Sequence, residues 1–133
     1  MDPASSGNKT ESPVELRVPG SESYLRMIRT VAGQVAHSVG FSYNGIEDFA
    51  LAVDEAAVIL LEYAPSALEV SITQVAEPNS SVLVELVARD ATGDWPPADL
   101  HADTRWQILS TVCERVWIVD GGGHGIGLAQ TTR

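Results

Sequence analysis

Residues 51–64, LAVDEAAVILLEYA, decide how this chain is read. Apolar residues recur at helical spacing through the stretch and just before it, which predicts a helix over about 45–64. Its core face is expected to carry Ile46, Phe49, Ala50, Val53, Ala57, Leu60, Leu61 and Ala64. Asn44 and Glu47 stand in the N-x-x-E order of a capping box, and Pro65 lies just beyond the far end. Asp48, Glu55, Ile59 and Glu62 share a second stripe, because steps of seven, four and three residues return to one side of a helix. Three of those four are carboxylates. The fourth is a hydrocarbon.

Upstream of this helix, residues 1–12 (MDPASSGNKTES) are small and polar, the composition of a disordered tail, so the folded domain is expected to span 13–133. VELRV (14–18) alternates as a half-buried strand does, and Pro19-Gly20 ends it. Ser21 is placed to cap a helix over about 21–39, with Tyr24, Ile28, Val31 and Val35 inward and Arg26, Arg29, Gly33 and His37 outward. Downstream, LEVSI (68–72) and VLVELVA (82–88) flank the turn EPNSS (77–81), an antiparallel hairpin whose second strand is apolar enough to be central. After the Pro- and Asp-rich linker 90–103, Thr104 and Gln107 can box a third helix that buries Trp106, Leu109, Cys113 and Val116. VWIV (116–119) and IGLA (126–129) then close a hairpin around GGGHG. The order is strand, two helices, two strands, helix, two strands. That predicts an α+β two-layer sandwich: a mixed, mainly antiparallel sheet of about five strands with three helices on one face.

The 133 residues suffice for one domain with its own core. A net charge of -10 disfavours nucleic acid and anionic membrane as partners and suits a basic protein. No secretory signal or membrane span is expected, and the lone Cys113 fits a reducing cytoplasm as a core residue. His37, His101 and His124 are scattered, with no metal-ligand or nucleophile–base spacing among them, so no metal is expected.

The run from VELRVPGSESYLRMIRTV through IEDFALAVDEAAVILLEYA resembles the RsbW/SpoIIAB anti-sigma factor kinases, small relatives of the histidine-kinase-like (Bergerat-fold) ATPases. The resemblance covers residues 14–64 and thins after 90. It implies that fold with a reduced ATP lid. In the family, a helix bearing E-S-x-x-R precedes one bearing E-x-x-x-N. Glu22, Ser23 and Arg26 match the first motif. Glu55 matches the start of the second, but Ile59 stands at its Asn. The Asn oxygen would help hold magnesium, a hard cation that takes oxygen ligands, and isoleucine offers none. Glu55 would be the general base on an attacking serine hydroxyl. The family's D-x-G-x-G is here Asp90-Ala91-Thr92-Gly93-Asp94, with side chains at both glycine positions but Gly93 between them. Its second glycine element should lie near HADTRWQIL and is absent. GGGHGIG (121–127) falls too late and reads as a hairpin turn.

The resemblance therefore implies an anti-sigma factor that sequesters an alternative sigma factor, released by an antagonist protein or a ligand, with ATP/Mg binding and kinase activity weak or lost. Glu22, Arg26 and Arg29 would meet the partner, and a homodimer is implied. The nucleotide- or ligand-binding candidates are Glu55, Ile59, Asp90 and Gly93. Two alternatives stay open. One is an active serine/threonine kinase acting on a STAS-domain anti-anti-sigma factor. The other is a sensor in which the same scaffold binds another nucleotide or a metabolite.

Overall fold

The protein is described here by a computed structural model covering residues 12–75, 81–120 and 123–131. Strands β1 (Val14–Pro19), β2 (Ala67–Val75), β3 (Ser81–Arg89), β4 (Arg115–Val119) and β5 (His124–Thr131) form one sheet. Its order is β1-β2-β3-β5-β4, and every neighbouring pair is antiparallel. The expected mixed character is thus absent from the described strands, while β3 is the central strand as expected. Helices α1 (Leu25–Ser38), α2 (Tyr43–Leu61) and α3 (Thr104–Val112) complete the α+β architecture. The turn expected at 77–81 and the glycines of GGGHG fall largely outside the described residues, as does the tail before Ser12.

Period-two alternation puts Leu68, Val70 and Ile72 of β2, and Val82, Val84, Leu86 and Ala88 of β3, on the buried side. They meet Phe49, Val53, Ala56 and Leu60 of α2. Each large side chain removed from water there contributes about 1.5–3 kcal/mol before entropy is subtracted. Among the described residues, no helix covers the sheet's other face. Trp117 lies on that face across Gly127, its neighbour in the β4–β5 register, with Arg115 over the indole at 5.2 Å. A Cβ at position 127 would meet the indole unless the ring turned aside.

Helix α1 buries Ile28, Ala32 and Ala36, while Tyr24, Val31 and Val35 are only half-buried. The inward line is therefore turned from the one expected. Alanines let the helix approach its neighbours closely, and a search for large apolar residues passes over them. Ser21 caps a short 3-10 turn, Glu22–Tyr24, and α1 proper follows from Leu25. Helix α2 starts two residues earlier than expected. Its cap is Ser42, whose hydroxyl accepts from the Gly45 amide at 3.1 Å, and Asn44 lies inside the helix. The helix ends at Leu61, and Ala64, expected in the core, is exposed with φ +50. For α3 the cap is Asp103, accepting from Arg105 and Trp106, in place of Thr104. Trp106, Leu109 and Cys113 are buried as expected, whereas Val116 is half-buried within β4.

Candidate functional site

Helix α2 runs between α1 and α3, and its buried arc is wide: Gly45, Phe49, Ala52, Val53, Ala56, Ala57, Ile59 and Leu60. Ile59 is only 2% exposed. At 3.6 residues per turn it sits about 40° round the helix from Glu55, enough to carry it over the edge of the arc. The stripe thus divides. Asp48 and Glu62 are exposed, Glu55 is half-buried, and Ile59 belongs to the core.

The carboxylates of the stripe have a partner that the sequence reading missed. Arg105, in the first turn of α3, brings Nε to 3.8 Å from Glu55 Oε2 and Nη1 to 3.2 Å from Glu62 Oε2. The two glutamates stand seven residues apart on one side of α2, so a single guanidinium reaches both. The only available signal was an arginine just inside a helix start, facing an acidic neighbour of unknown position. That pairing is tertiary and cannot be read from spacing.

Asp90 and Gly93 lie in the loop after β3. Asp90 has φ +56, and its Oδ2 accepts a hydrogen bond of 2.5 Å from the Ser66 hydroxyl. Gly93 has φ +91, a backbone state natural to glycine. The loop is tied to the end of α2, because the Thr92 amide and hydroxyl both donate to the Tyr63 carbonyl, at 2.8 and 3.2 Å. Tyr63, Trp95 and His124 form an aromatic cluster beside it. Trp95 and His124 stack with centroids 5.4 Å apart, and Tyr63 meets both edge-on at 5.2 and 5.0 Å. His124 Nε2 lies 2.8 Å from the Gly93 carbonyl oxygen. Burial raises the Tyr63 phenol above its usual range, reinforced by Glu62, Asp99 and Asp103. The sequence reading had set His124 aside as isolated. Its partners come from two separate segments, the end of α2 and the loop after β3.

The partner-facing candidates lie elsewhere. Glu22, on the 3-10 turn, and Arg26 and Arg29, on α1, are all exposed. Glu22 and Arg26 form no ion pair with each other, and among the described residues neither side chain is engaged. Arg29 reaches across to α2, with Nη1 3.7 Å from Asp54 Oδ1. The structure thus keeps the two groups of candidates apart: Glu22, Arg26 and Arg29 on the α1 side, Glu55 and Ile59 on the α3 side of α2. Asp90 and Gly93 are joined to the second group only through the end of α2. The groove between α1 and α2 is lined by Arg29 and Asp54 but not by Glu55, Ile59, Asp90 or Gly93.

The fold and these residues define an α+β protein with an antiparallel five-stranded sheet, three helices and two separate clusters of functional candidates. No family model matches the chain. It is 33% identical over 51 residues to the serine-protein kinase RsbW of Bacillus thuringiensis (strain Al Hakam), and the same figures hold for RsbW of Bacillus cereus (strain B4264) and Bacillus anthracis (strain A0248). The likeness takes in 38% of this chain, which spans 32% of the length of those relatives. The chain is RsbW-like over that stretch. Among the described residues, no helix is long and apolar enough to cross a membrane.

Proposed function

We propose that this chain is an anti-sigma factor of the RsbW type, which sequesters an alternative sigma factor in the cytoplasm and so represses its transcription, without a working magnesium–nucleotide site. The observation that carries the proposal is the pair Glu22 and Arg26: exposed, one helical turn apart, and uncommitted to each other or to any described neighbour. A pair kept only for surface stability would be joined as an i,i+4 bridge. Two charges held free are ready for a partner's own charges. The element order and the likeness to RsbW support the Bergerat-type reading of the fold.

The residues present do not fit magnesium and ATP. Where an oxygen ligand is needed, Ile59 turns into the core. Glu55 faces the Arg105 guanidinium at 3.8 Å, so a cation of the chain itself stands near the carboxylate that would act as general base. Asp90 is held by the Ser66 hydroxyl, and Tyr63 comes within 3.4 Å of where a Cβ on Gly93 would be. Phosphoryl transfer has no support from these residues. Binding and release remain as the mechanism: Glu22, Arg26 and Arg29 hold the sigma factor, and a STAS-domain antagonist or another ligand competes for that surface. The sheet face carrying Leu83, Val87, Trp117 and Val119, which no helix covers among the described residues, supports a homodimer.

The test is capture from the native cytoplasm with the purified chain as bait, in parallel with its Arg26→Glu variant. An alternative sigma factor retained by the first and lost by the second is expected. Failure to retain any sigma factor would overturn the assignment, and equal retention by both would remove Arg26 from the interface.

A further inference from the structure

On their solvent side, α1 and α2 leave a groove of about 530 Å³ between them. Its floor is apolar, made by Gly33, Ile46, Ala50 and Leu51, and its rim is charged, with Glu47, Asp48 and Asp54 set against Arg29. Gly33 borders it beside Ile46. Leu51 is 42% exposed, a large apolar side chain left in water within the groove. Asp54 Oδ1 is shielded from solvent yet accepts no hydrogen bond, since Arg29 Nη1 at 3.7 Å is beyond hydrogen-bonding reach.

We infer that this groove is a docking site for a basic amphipathic helix of another protein. A channel between two helices suits a third, laid with its apolar stripe on Leu51, Ala50 and Ile46. Lysine or arginine beside that stripe meets the exposed Glu47 and Asp48. Charge selects this occupant over the others. Three carboxylates outnumber one guanidinium at the rim, in a chain with 18 acidic and 8 basic residues. A second copy would bring like charge to like, and nucleic acid would bring phosphates. The inference does not rest on the sigma-factor reading. The groove shares Arg29 with the partner-facing candidates but neither Glu22 nor Arg26.

The probe is a synthetic helix of about four turns with leucines on one face and lysines flanking them. A companion peptide carries glutamate in place of each lysine. Binding is followed by fluorescence anisotropy and by amide chemical shifts of the labelled protein. The lysine peptide is expected to shift Arg29, Gly33, Asp48 and Leu51, and to weaken as salt rises. Leu51→Asp and Glu47→Lys should each cut its affinity at least tenfold, while Glu85→Lys on the far sheet face should not. Glu47 and Leu51 are exposed, so both variants are expected to unfold at the temperature of the parent. Equal binding of the glutamate peptide, or shifts scattered over the surface, would overturn the inference. Concentration-dependent shifts at the groove without peptide would assign it to a second copy and overturn it as well.

Discussion

Ile59 shows how one side chain can change what a helix is able to do. The resemblance puts a metal-holding asparagine at its position, and here the side chain is folded into the core. Ile59→Asn is expected to bury an amide without partners and to lower stability by about 1–3 kcal/mol, read from the midpoint of urea unfolding. An unchanged midpoint would place the side chain in a solvated cavity and contradict the packing described here. Cys113 is a second residue whose surroundings set its chemistry. Burial pushes its thiol up to about 12 from an ordinary value of 9.0. The folded protein should therefore resist thiol reagents at pH 8 and react only on unfolding. The sign of the pH effect follows. Above 9 the unfolded thiol ionises while the folded one keeps its proton, so this contribution is intact below 9 and is lost as pH rises towards 12.

At the scale of elements, two glycines mark places where segments come closer than a side chain allows. Gly20, just after β1, donates its amide to the Ser66 carbonyl, and a Cβ there would strike the Pro65 carbonyl oxygen. Gly127 of β5 lies under the Trp117 ring. The two contacts differ in what can give way. Backbone at Pro65 is fixed by β2, whereas the indole stands on the uncovered face and can turn aside. Gly20→Ala is expected to cost about 1–3 kcal/mol, and Gly127→Ala clearly less. Thermal unfolding of both variants checks the order, and the reverse order would contradict it.

The strands and the order of elements were legible because alternation and helical spacing are local patterns. VELRV and LEVSI fall inside β1 and β2, and Leu109 and Cys113 are buried as the spacing predicts. The helix caps were misread by one or two residues, since Ser42 and Asn44, or Asp103 and Thr104, are equally able to cap and only the chain's path decides between them. The inward line of α1 was missed because Ala32 and Ala36 carry little apolar signal. Ile59 was grouped with the carboxylates because a stripe drawn at three- and four-residue steps is broad enough to straddle the edge of the core. Arg105 facing Glu55, and His124 stacked on Trp95, depend on segments brought together only by folding.

For the molecule as a whole, the proposed function puts partner binding on one side of α2, at Glu22, Arg26 and Arg29, and expects no working nucleotide site on the other. Two consequences follow for function. Incubation with labelled ATP, magnesium and a co-purified antagonist should leave that antagonist unphosphorylated. A phosphoserine that disappears in Glu55→Gln would show a working catalytic site. The excess of acidic residues suits a basic partner, so complex formation should weaken as ionic strength rises. The most direct measurement is the affinity of the purified chain for its captured sigma factor, taken by calorimetry without nucleotide, with magnesium and ATP, and with Arg26→Glu. The account predicts the same dissociation constant with and without ATP, and one at least tenfold weaker for Arg26→Glu, a loss of about 1.4 kcal/mol or more. Binding that requires magnesium and ATP, or that survives Arg26→Glu unchanged, would contradict it.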